Sequence, residues 1–82
     1  MDNHELLNRI ELNPRILTGK PVIKGTRLSV QFIVGLLARG VTHQQILDEY
    51  ACLKTKDIYA CLLFASQMLK RSTFVPLEKS LS

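Results

Sequence analysis

Residues that hold metals or carry redox chemistry are scarce in this sequence. Cysteine occurs twice, at Cys52 and Cys61, and histidine twice, at His4 and His43. There is no C-x-x-C pair, and neither histidine has a second ligand at metal spacing. A zinc site, any other metal site and a cofactor are therefore not expected. The two cysteines are read as free thiols of a reducing compartment. Acids are short in one long stretch: between Arg9 and Arg39, Glu11 stands alone against Arg9, Arg15, Lys20, Lys24, Arg27 and Arg39. Asp48 and Glu49 are adjacent, so on a helix they point in different directions rather than across a cleft, which argues against paired catalytic carboxylates. Gly19-Lys20 is followed by Pro21 rather than Ser or Thr and lacks an earlier glycine at the required distance, so it is not a phosphate loop. No enzyme activity is expected. Long apolar runs are missing too. Nothing approaches the roughly 18 uninterrupted apolar residues of a membrane span. The opening MDNHELLNRIEL is polar and has no apolar run behind a basic start, so a cytoplasmic protein is expected.

What is present is one small domain of 82 residues, 46% hydrophobic, with a net charge of +4 and a pI of about 9.4. The basic excess permits nucleic acid or an acidic protein as partner. Residues 1–8 read as a flexible start. Residues 9–28 read as an extended arm. In it Ile10-Glu11-Leu12 alternates, Asn13-Pro14 turns the chain, and Pro21-Val22-Ile23 faces Thr26-Arg27-Leu28 across Lys24-Gly25 as a tight β-hairpin. A two-residue loop would force Lys24 to positive φ. A three-residue loop with Gly25 alone at positive φ is favoured.

Residues 29–70 read as three helices. Ser29 caps the first, which runs from Val30 to Arg39 and stops at Gly40. Thr42 with Gln45 forms a capping box for the second, which ends near Tyr50. Thr55 is expected to cap the third, KDIYACLLFASQMLKR, with Asp57 in its first turn complementing the helix dipole. Ile58, Leu62, Ala65 and Leu69 fall on one stripe of that helix, and Cys61, Leu63, Phe64 and Met68 widen it. The first and third helices are apolar nearly all round. So short a chain cannot cover both, so a homodimer or another protein surface is expected. In the tail, residues 71–82, Phe74, Val75, Leu77 and Leu81 either fold back or dock into a partner.

The spacing of the second and third helices, separated by Ala51 to Lys54, is that of a helix-turn-helix. The third helix then reads DNA with its first turns. The side chains available there are Lys54, Thr55, Lys56 and Tyr59, with Lys54 and Lys56 expected on phosphates and Thr55 capping or reaching a base, while Arg39, Lys24 and Arg27 would add backbone contacts.

The run NPRILTGKPVIKGTRLSVQFIVGLLARGVTHQQILDEYACLKTKDIYACLLFA resembles the bacterial domain of unknown function 433, grouped with VapB-like antitoxins. The resemblance spans about Ile10 to Leu69. Its most specific part is GKPVIKGTRLSV, Gly19 to Val30, followed by an apolar helix, a glycine turn and ILDEY, Ile46 to Tyr50. It implies a mainly α fold, a three-helix, homeodomain-like helix-turn-helix bundle preceded by a short β-hairpin arm. It also implies an antitoxin of a type II toxin-antitoxin system that binds and silences a PIN-like ribonuclease toxin and represses its own promoter DNA. Against the acidic cleft of such a nuclease, Lys70, Arg71 and Lys79 would pair with carboxylates, and Phe74, Val75 and Leu77 would anchor. A dimeric protein-interaction module that never touches DNA is the alternative.

Overall fold

The structure, a computed structural model, describes residues 2–71. The chain runs α1 (Asn3–Leu7), β1 (Ile10–Glu11), a 3-10 turn (Leu17–Gly19), β2 (Val22–Ile23), α2 (Val30–Ala38), α3 (His43–Glu49) and α4 (Thr55–Arg71). The mainly helical fold and the small antiparallel hairpin ahead of it agree with the sequence reading. Three of the four helices are the expected ones.

The first eight residues, expected to be a flexible start, instead carry α1. Asp2 accepts a hydrogen bond from the His4 amide at its N-terminus, and Leu6 is buried. Five residues are too few to hold a helix in water. What holds this one is its docking along α4. The hairpin also uses other strands than expected. β2 pairs with β1, Ile10 opposite Ile23 and Glu11 opposite Val22, and Lys24 N–H extends the ladder to the Arg9 carbonyl at 2.8 Å. The segment after β2 does return beside it: Ile23 N–H reaches the Leu28 carbonyl at 2.9 Å, and Val22 bridges Ser29. The loop between is longer than the three residues expected. The Thr26 hydroxyl donates to the Ile23 carbonyl at 2.7 Å and accepts from Leu28 N–H at 3.0 Å, so Thr26 serves the turn rather than a strand. Gly25, at φ 82°, is the one residue of that turn with positive φ, as expected.

Helix ends follow local chemistry. Ser29 accepts from Phe32 N–H at 2.9 Å, and Thr42 and Gln45 close a complete capping box. α2 stops in a Schellman motif, with Val41 N–H to the Leu36 carbonyl and Gly40 N–H to the Leu37 carbonyl, and Gly40 takes φ 89°. The core gathers Ile23, Val30, Ile33, Ile46, Leu53, Ile58 and Cys61 from β2, all three larger helices and the turn ahead of α4. Among the described residues no helix is long and apolar enough to cross a membrane.

α4 departs from its expected stripe. Ile58 and Cys61 are fully buried, but Leu62 is 40% exposed and Leu69 71%. For Leu69, near the far end, the reason is length, whereas Leu62, the eighth residue of α4, lies at the edge of the buried side. At about 1.5 Å per residue α4 extends about 26 Å against about 14 Å for α2, so its second half outruns its main partner.

Candidate functional site

The start of α4 is built differently from the sequence expectation. Thr55 is the first helical residue, not the cap. Lys54 holds the flanking position, and its N–H is taken by the Asp57 carboxylate at 2.8 Å while Asp57 N–H returns to the Lys54 carbonyl at 2.9 Å. The other Asp57 oxygen accepts from Arg9 Nη1 at 2.9 Å. Asp57 is 6% exposed, so this carboxylate is a buried clamp between the N-terminal segment and the first turn of α4. Burial, with the Asp57 charge second, pushes the Cys61 thiol up to about 12. That is the opposite of an activated thiolate. Both cysteines are free, Cys52 exposed and Cys61 buried.

With the helix start fixed, alternate sides of its first two turns separate cleanly. Asp57, Ile58, Ala60 and Cys61 face inward, and Lys54, Thr55, Lys56 and Tyr59 are exposed. His43, at the start of α3, meets the Tyr59 ring edge-on at 5.8 Å and so limits how the phenol swings. These four expected site residues make a polar strip at the leading end of α4, with Lys54 flanking the helix, Tyr59 toward α3 and Lys56 toward α1. The other expected DNA contacts are distributed elsewhere. Lys24 and Arg27 are exposed on the turn after β2. Arg39 is exposed at the end of α2 and lines a depression of about 340 Å³ with Lys20, Ser29, Gln31, Phe32 and Gly35 but no α4 residue. Among the described residues the one ion pair is Arg9–Asp57, so none of these cations is in a salt bridge, although Lys56 shares a depression of about 260 Å³ with Glu5.

Lys70 and Arg71, expected to meet a toxin, are exposed in the last turn of α4. Arg71 borders an apolar depression of about 270 Å³ lined also by Leu7, Ile10, Leu12, Phe64, Gln67 and Met68. Phe74, Val75, Leu77 and Lys79 lie outside the described residues. Among the described residues, no three His, Cys, Asp or Glu side chains converge as metal ligands.

Sequence reasoning passed over Arg9, Asp57 and Lys20 as site-forming residues. For Asp57 a signal existed, because an acid at the third helical position is placed to take the flanking N–H. For Arg9, 48 residues away, no local signal exists.

Among curated proteins the chain finds no match. Among solved structures it resembles a DUF433 member protein from Anabaena variabilis, with a TM-score of 0.73 and 25% identity over 83% of this chain and 67% of that one. The family model of the proteins of unknown function called DUF433 matches residues 10–65, which takes in β1, β2, α2, α3 and most of α4. The chain belongs to the DUF433 family.

Proposed function

We propose that this chain is a DNA-binding antitoxin of a type II toxin-antitoxin system, which binds a PIN-like ribonuclease toxin directly and represses its own promoter as a homodimer in the cytoplasm. It acts by binding and not by turnover. The observation that carries the reading is the strip of Lys54, Thr55, Lys56 and Tyr59, exposed at the start and over the first two turns of a helix whose other side is locked into the core. A reading helix needs such a rigid, positively charged leading end, preceded by a short helix and a turn. α3 and the turn after it, closed by Leu53 N–H to the Tyr50 carbonyl at 2.9 Å, supply that frame. Lys54 and Lys56 meet phosphates, Thr55 and Tyr59 approach base edges, and Lys24, Arg27 and Arg39 hold the flanking backbone.

The test is a mobility shift on the DNA upstream of the gene. Wild type retards the fragment, and its affinity falls steeply with salt. Replacing both Lys54 and Lys56 by Ala weakens the shift by about tenfold or more and lowers the salt slope by about 2. An unchanged shift removes α4 from the DNA contact.

A second reading, a dimeric protein-interaction module without DNA binding, is favoured by the apolar exposure of Leu12 at 64%, Leu62 at 40% and Leu69 at 71%. Toxin docking through Lys70, Arg71 and the residues after them belongs to both readings. Truncation after Arg71 abolishes toxin inhibition if that segment carries the contact, and full inhibition by the shortened chain refutes it. The two readings part on DNA: the module gives no promoter shift at moderate salt.

A further inference from the structure

Gly35 stands in the middle of α2, where glycine is the poorest helix former after proline. Nothing among the described residues requires it there. A Cβ built on it meets no atom within 4 Å, and its backbone has no positive φ. Gly35 forms part of the depression of about 340 Å³ whose lining includes Lys20 and Arg39 and no acid. Ser29 and Gln31 add hydrogen-bonding groups, and the 38%-exposed Phe32, fixed edge-on against Tyr50 at 5.9 Å, also lines it. Gln31, Gly35 and Arg39 follow one another at four-residue spacing, so they share one side of the helix.

From this juxtaposition we infer that the outer side of α2 is a second contact for the DNA backbone, with Lys20, Gln31 and Arg39 gripping a phosphodiester that passes close over Gly35. The inference rests on the DNA-binding reading above and deepens it by adding Lys20, Gln31 and Gly35. A missing side chain lets a partner backbone come close to the helix, and two cations without a neighbouring acid suit a repeating anion. A second copy of this chain suits the surface less well, because a twofold contact here gathers two copies of Lys20 and Arg39 with no acid in the lining to pair them.

The experiment measures fluorescence anisotropy of a short random-sequence DNA duplex across a salt titration, with the full chain and three variants, and follows mass by sedimentation. Lys20→Gln lowers the slope of log affinity against log salt by about 1. Gly35→Glu, which has open space and a better helix former, melts at or above the wild-type temperature yet binds about tenfold more weakly or worse, because a carboxylate now faces the phosphates. Arg15→Gln, which removes a charge that does not line this depression, leaves slope and affinity nearly at wild-type values. Wild-type slope and affinity in both Lys20→Gln and Gly35→Glu overturn the inference while leaving the α4 strip standing. Equal losses in Lys20→Gln and Arg15→Gln reduce the effect to net charge and overturn it too. So does a change of sedimenting mass in Gly35→Glu with DNA binding intact, which makes the surface a contact between copies. Wild type that binds no duplex at low salt sinks the DNA-binding reading and this inference together.

Discussion

The two halves of α4 obey different rules. From Thr55 to Cys61 the helix sorts its residues as an amphipathic helix of a closed domain does, with Ile58, Ala60 and Cys61 at 0% exposure and the polar strip outside. From Leu62 to Arg71 the sorting fails: Leu62 and Leu69 face outward while Phe64 and Gln67 are half-buried beside α1 and β1. The first half is satisfied by contacts within residues 2–71, and the second is not. On the proposed function, the finished leading end serves recognition and the unfinished trailing end serves assembly.

Four substitutions or conditions separate the halves, and the largest effect belongs to the first. Ile58→Ala empties a fully buried site at the centre of the core and costs about 3–4 kcal/mol, read from the urea midpoint. A loss under 1 kcal/mol would mean that the leading half is packed no better than the trailing half. Asp57→Ala removes the acceptor of Lys54 N–H and the partner of Arg9 together. The expected loss is about 2 kcal/mol, below the value for a fully buried pair because the Arg9 side chain is 32% exposed and can rehydrate. Asp57→Asn, which keeps one acceptor, recovers part of it.

Proton linkage gives the third comparison. The folded Cys61 thiol is raised from 9.0 to about 12, so folding disfavours its ionised form. Its contribution is fully present below pH 9 and is lost as pH climbs from 9 toward 12. The unfolding free energy over that window falls more steeply for wild type than for Cys61→Ala; parallel curves remove the linkage. In the native protein a thiol reagent labels Cys52 promptly and Cys61 only on unfolding. The smallest effect on stability is at the trailing end. Leu69→Ser changes the unfolding free energy by no more than about 0.5 kcal/mol. It nevertheless reduces self-association measured by sedimentation, and an unchanged association constant takes Leu69 out of the assembly surface.

Much of the fold was legible because its punctuation is local. Ser29, Thr42 with Gln45, and Gly40 each act within a few residues, and all of them end or begin helices where the sequence places them. What was not legible depends on distant partners. A two-residue strand has no period to read, so β1 could not be matched to β2 in advance. α1 has no stability of its own, and only the α4 surface under Leu6 makes it a helix. The stripe on α4 was misread because an apolar residue facing a neighbour and one facing away look alike when no length limit on the neighbour is known. Of the candidate site, the α4 strip followed from spacing, whereas Arg9–Asp57 and the Lys20–Gly35–Arg39 depression arise only once the chain has folded.

The Arg9–Asp57 pair has a practical bearing. It is a noncovalent clasp that ties the ends of a 48-residue stretch of chain, and it fastens at the first turn of α4. Cargo fused ahead of Asp2 hangs one short helix away from that clasp and can pull on it. Tags intended for purification or imaging are therefore better appended at the other terminus when the leading end of α4 is under study, and at this one when the trailing end is.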